Sequence, residues 1–167
     1  MTTKFEYSAD IDCSLAALHD AYSTEAYWQD RVSETGGPRD TLDSFEVTDE
    51  GVRIVVTQVI PDEQLPDLAK KVLDGQLKIV RASLYRPFDA ERISGTADAE
   101  AAGGLGTITG AGEAVPTGEN TCRESVSGTV RVAVPVLGRK LEKLAVNFMY
   151  SLFEKEYAHA AEWVADR

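Results

Sequence analysis

The chain has 167 residues, 43% of them hydrophobic and 27% charged, which is the size and composition of one globular domain with a core of its own. Seventeen basic residues against twenty-eight acidic ones give a net charge of −11, which opposes binding to a nucleic-acid phosphate backbone. No run approaches the roughly 18 consecutive apolar residues of a membrane span, and the opening MTTKFEYSAD lacks a signal peptide's apolar stretch. A cytoplasmic protein without stable membrane insertion is therefore expected.

Residues 3–9 alternate so that Phe5 and Tyr7 share a face, the period of a half-buried strand. Asp12 or Ser14 then offers a helix N-cap, and Leu15, Leu18, Ala21 and Tyr22 recur at helical spacing. A second short helix from Thr24 carries Tyr27 and Trp28 and stops at Gly36-Gly37-Pro38. From residue 40 to about 134, β-branched runs such as VRIVVTQVI and LKIVRASLY alternate with turn residues at 49–51, 89–91, 103–104 and 117–120. This pattern predicts successive antiparallel strands. The insert PDEQLPDLAKKVLDGQ has Leu65, Leu68, Ala69 and Val72 at helical spacing and predicts a short helix capping one end of the sheet. The small-residue run ADAEAAGGLGTITGAGEA predicts bends in the sheet or a turn.

After Gly138 no glycine or proline interrupts the chain, which predicts one long helix over roughly 138–164. Leu141, Ala145, Phe148 and Leu152 form an apolar stripe along it, widened by Leu144 and Met149. Continuing the same spacing brings Glu156, His159 and Trp163 onto the stripe. A drift to Phe153, Tyr157, Ala160 and Val164 instead carries the buried face around the helix and leaves Glu156 and His159 near solvent. Drift is the simpler expectation, because charged helical residues are usually solvated.

Cys13 and Cys122 lie far apart without ligand-spaced neighbours, and they read as buried, reduced thiols. His19 and His159 make no helical metal pair, so neither a metal nor a cofactor is expected. Gly104-Leu105-Gly106 with Gly110 and Gly112 misses the spacing of a dinucleotide loop, and no helix follows it. Glu156 and His159, at an i, i+3 spacing where side chains meet, are the candidate acid and base. Arg81, Gln58 and Tyr85 are polar groups set in strong strands, where each anchors a ligand head group or faces water. In VRIVV both faces are apolar, so alternation does not choose which side lines a pocket.

The order of strand, two short helices, about six further strands and a long C-terminal helix resembles the helix-grip fold of the START-like, polyketide-cyclase (SRPBCC) and pollen-allergen superfamily. The phrases FEYSADIDCSLAALHDAYSTEAYWQDRVSETGG, GTVRVAVPVLGRKLEKL and EYAHAAEWVADR resemble a bacterial family of uncharacterised function within it. The resemblance covers residues 1–167 as one domain. It implies an α+β fold, with a curved antiparallel sheet of six or seven strands around the long helix and a pocket between them. A small apolar or amphipathic ligand, lipid-like or polyketide-like, is the implied partner. Tyr7, Ile54, Val56, Leu141, Phe148 and Leu152 are then the expected apolar wall, and Arg81, Tyr85, Glu156 and His159 the expected polar anchors. The alternatives are a cyclase-like or dehydratase-like enzyme acting through pocket groups such as Glu156 and His159, and a protein-interaction module without ligand.

Overall fold

The computed structural model describes residues 2–89 and 91–167. Strand β1 (Thr3–Ile11) leads into helices α1 (Leu15–Tyr22) and α2 (Glu25–Thr35), followed by β2 (Thr41–Thr48) and β3 (Gly51–Ile60). The one-turn helix α3 (Asp67–Lys70) precedes β4 (Leu77–Tyr85), β5 (Ile93–Ala101), β6 (Gly106–Gly118) and β7 (Thr121–Val132). The chain ends in the 28-residue helix α4 (Gly138–Ala165). Ser14 caps α1, its hydroxyl accepting from the Ala17 N–H at 3.1 Å, which satisfies one of the amide donors a helix start leaves without a partner.

Among the described residues seven strands form one sheet in the order β1-β7-β6-β5-β4-β3-β2, every neighbouring pair antiparallel. Strands β1 and β2 follow each other in sequence yet occupy opposite edges. Helices α1 and α2 carry the chain across that gap, which is why a helix pair must come after the first strand. The sheet curls around α4 in the helix-grip arrangement that the order of elements predicts.

Two clusters of buried side chains hold α4. One joins Leu15, Leu18, Tyr22, Tyr27 and Trp28 of the helix pair to Ile54, Ile93, Cys122, Tyr157 and Ala160. The other packs Val146 and Met149 onto Phe5 and Val130. Cys13 and Cys122 are both free and buried.

Directly paired residues of antiparallel strands point to the same face, so the register fixes the inner surface. Tyr85, Ser83, Arg81 and Ile79 of β4 face Gly95, Ala97, Ala99 and Ala101 of β5. Gly95, Ala97 and Ala99 in turn face Gly112, Gly110 and Ile108 of β6. The glycine-rich and alanine-rich run is thus an alternation, small residues inward and Thr96, Asp98, Thr107, Thr109 and Glu113 outward. Gly110 pairs with Gly128 of β7, and Phe5 lies over both. A Cβ added to Gly128 would stand 2.0 Å from the Thr109 carbonyl oxygen and 2.9 Å from Phe5 Cζ. Gly128→Ala is therefore expected to destabilise the fold by about 1–3 kcal/mol, the usual penalty of overpacking, read as a lowered urea midpoint.

Candidate functional site: a cavity with a charged inner end

A cavity of about 340 Å³ lies between the sheet and α4, within the roughly 300–1,000 Å³ typical of small-molecule pockets. Its walls are mostly apolar. Leu141, Leu144, Met149 and Leu152 of α4 form one side, and the inner faces of β4 to β7 form the other. Leu65, Leu73 and Leu77 from α3 and its flanks, with Leu105, close one end, the position in which the insert is predicted to act. Phe148 lines the cavity but remains 47% exposed, which puts it at the mouth.

The volume exists because β5 and β6 send mostly small side chains inward, Ile93 and Ile108 being the large ones. At some of these positions the backbone enforces the choice: a Cβ on Gly95 or Gly112 would meet the Leu84 or Ser125 carbonyl oxygen at 2.6 and 2.5 Å. Ala97, Ala99 and Ala101 already carry a Cβ and line the cavity. Larger residues at these three would project into the space, so their small size reflects the cavity and not a crowded backbone.

The opposite end is polar. Glu156 is 4% exposed, and its carboxylate receives two guanidinium groups. Arg31 of α2 approaches Oε1 through Nη2 at 2.8 Å. Arg81 of β4 donates from Nη1 to Oε2 at 2.9 Å and from Nη2 to Oε1 at 3.3 Å. Arg31 is itself buried, its guanidinium 4.7 Å from the centre of a Trp28 ring and its Nη1 donating to the Tyr27 hydroxyl at 3.3 Å. Burial alone would push the Glu156 carboxyl up, but Arg31 and Arg81 outweigh it and hold it down to about 2.

Glu124 behaves in the opposite way. It lines the same cavity from β7, and its Oε1 accepts from the Tyr22 hydroxyl at 3.0 Å. Burial raises its pKa, and hydrogen bonds from Tyr157 and Tyr22 together with the nearby Arg31 only partly offset that rise. Tyr27, above this network, is pushed up to about 12, chiefly by burial. Of these two buried carboxyls, Glu124 is therefore better suited than Glu156 to give and take a proton.

The sequence candidates separate into three groups. Arg81, Tyr85, Leu141, Phe148, Leu152 and Glu156 line the main cavity. Ile54 and Val56 line a smaller neighbouring space of about 30 Å³, and Gln58, Arg31, Arg81 and Glu156 border both spaces. Tyr7 and His159 lie outside both linings. The Tyr7 ring packs on Tyr150 and Phe153 at 5.3 and 5.6 Å between centres. His159 Nε2 donates to Asp30 Oδ2 at 2.7 Å, while its Nδ1 is buried without a hydrogen-bond partner among the described residues.

The expectation that helical drift leaves Glu156 and His159 near solvent is corrected: they are 4% and 7% exposed. The reason is tertiary. Helix α2 covers that flank of α4 and presents Asp30 to His159 and Arg31 to Glu156, so two adjacent residues of one helix grip an i, i+3 pair on the other. Arg31 and Glu124 are site residues that the sequence reading missed. Both carry a signal: Arg31 is in helical phase with Tyr27 and Trp28, and Glu124 is in strand phase with Cys122, Val126 and Val130.

Strand order and the long C-terminal helix define a helix-grip fold around an internal cavity. The family described as "Protein of unknown function (DUF2505)" matches residues 6–164, and the chain belongs to that family. It is 27% identical, over 99% of each chain, to the uncharacterized protein Rv0481c of Mycobacterium tuberculosis H37Rv. Among solved structures it resembles TTHA0849 from Thermus thermophilus, with a TM-score of 0.58, 17% identity and 98% of each chain covered. A START superfamily protein from Mycobacterium smegmatis gives 0.57 at 17% identity, covering 96% of this chain and 98% of that one. Norcoclaurine synthase from Thalictrum flavum, in complex with dopamine and hydroxybenzaldehyde, gives 0.54 at 14% identity, covering 100% and 88%. At such identities the likeness shows the fold, and function must be argued from the site.

Glu156 also links the site to stability. Its pKa falls from an ordinary 4.5 to about 2 on folding, so its contribution is fully present above about 4.5 and is lost as the pH falls through about 2. Glu156→Gln should cost about 3–5 kcal/mol at neutral pH, the usual result of breaking a buried ion pair. Urea titrations of parent and variant at decreasing pH should show that difference narrowing below about 4.5.

Proposed function

We propose that the protein binds a small apolar or amphipathic molecule, lipid-like or polyketide-like, in the cavity between the sheet and α4. The observation that carries this reading is the unfilled volume behind Ala97, Ala99 and Ala101. Apolar walls around about 340 Å³ of space lack the contacts that a packed interior makes. A ligand supplies those contacts, and its own apolar surface leaves water at the same time. An interaction module without ligand has no use for such a space and would fill it with larger side chains.

A catalytic version of this reading runs through Glu124, whose carboxyl is raised by burial beside two tyrosine hydroxyls. Glu156 is held as a carboxylate by two guanidinium groups. His159 is engaged with Asp30 outside the cavity lining.

The test uses the neutral dye Nile red, which brightens on leaving water. The parent is expected to bind it. Ala97→Phe places a ring in the cavity and should weaken binding by about tenfold or more, while the melting temperature stays the same or rises. A parent that leaves the dye dark, or an Ala97→Phe variant that binds as the parent does, would sink the reading.

A further inference from the structure

We infer that the occupant is a monocarboxylate with an apolar tail, its carboxylate seated on the Arg81 guanidinium and its tail directed toward the α3 end. This rests on the proposed binding function and names the chemical class of the ligand.

The first observation is that polarity is graded along the cavity. On β4 the inner residues run Tyr85, Ser83, Arg81, Ile79, Leu77, polar to apolar. Along α4 the order in the same direction is Glu156, Leu152, Met149, Ala145, Leu141. Both walls place their charge at one end and hydrocarbon at the other, which matches an amphipath lying lengthwise. An all-apolar ligand would have no partner for the charged end.

The second observation is charge. Arg31 and Arg81 share the single carboxylate of Glu156, so these three groups by themselves carry an excess of one positive charge; the other acid of the cavity, Glu124, acts on Arg31. Structure alone does not require the second cation. Arg31 already pairs with Glu156 at 2.8 Å and rests against Trp28, whereas burying a further guanidinium carries a desolvation cost. Both guanidinium groups reach the cavity lining, and Arg81 has the greater access, its side chain 23% exposed against 7% for Arg31. A guanidinium has five N–H donors in a planar fork. The two bonds to Glu156 use one donor on each Nη, and the fork retains donors suited to a second carboxylate. Glu124, the other buried acid of the cavity, is occupied by the Tyr22 and Tyr157 hydroxyls.

The experiment compares decanoate with decanol, equal in tail and different in head, by isothermal titration of the full chain. The parent should bind decanoate about tenfold or more tightly than decanol, one charge-assisted contact's worth of discrimination. Arg81→Met should lose that preference and still bind decanol, and Lys140→Gln, which removes an exposed cation, should keep it. Decanol binding as well as or better than decanoate in the parent overturns the inference and leaves the pocket standing. So does a preference that survives Arg81→Met or disappears with Lys140→Gln. If neither compound binds, the inference and the proposed function both fall. Should Arg81→Met fail to fold, carboxyl-labelled decanoate bound to the parent decides by NMR. Titration below the free acid places the head on a cation, and titration above it places the head in hydrocarbon and overturns the assignment.

Discussion

Glu156 is a carboxylate with almost no access to water, and three elements that are remote in sequence meet on it. Arg31 comes from α2, Arg81 from β4, and Glu156 itself from α4. Such a contact is unforgiving because the Glu156 carboxylate has left bulk water and is stabilised there by the two guanidinium groups. The position of α4 along the sheet, the closeness of α2 to it and the polar end of the cavity are thus one constraint. At the other end of α4, Glu142 plays a simpler part. It accepts from the Thr3 hydroxyl at 2.6 Å and from the Val132 N–H at 2.9 Å, fastening the start of the helix to β1 and β7. A helix pinned at both ends by buried carboxylates can span a cavity without collapsing into it.

The sheet contributes the other half of that arrangement. Collapse would be the natural outcome if β5 and β6 offered large apolar side chains, because dense packing of a protein interior is favourable. Gly95 and Gly112 are small because neighbouring strand oxygens leave no room for a Cβ, and they say little about function. The alanines at 97, 99 and 101 have no such excuse. They alternate with outward Asp98 and Glu100 on a strand whose inner face meets Arg81, so the pleat delivers space and charge to the same side.

Much of this is legible in the sequence. The absence of glycine and proline after Gly138 marks α4 almost to the residue, and turn residues separate the strands. The helix pair after β1 is explained by β1 and β2 lying on opposite edges. The glycine-rich run suggests a bend when only its composition is considered, although its period of two, small against polar, describes a strand with an empty inner face. Glu156 and His159 are expected near water because a helix read alone has no second helix to cover it. Their partners, Arg31 and Asp30, lie on a different helix more than a hundred residues earlier. In β3 the alternation is silent because both faces of VRIVV are apolar. Only its register with β4, Val56 opposite Arg81 and Ile54 opposite Ser83, tells inside from outside.

The packing on either side of the cavity carries the fold: the aromatic group of Tyr22, Tyr27 and Trp28 around the inner end, and Phe5, Val130, Val146 and Met149 around the middle of α4. Tyr22, Tyr27 and Trp28 lie within 5.2–5.6 Å of one another between ring centres, and the Trp28 indole N–H donates to the Tyr22 carbonyl at 2.9 Å. This dense aromatic packing surrounds Arg31, the cation that holds Glu156. A buried aromatic cluster therefore lies behind the charged end of the cavity. Backed by these rings, the ion triad is formed in the ligand-free protein, and a preformed site spends little of its binding energy on ordering itself.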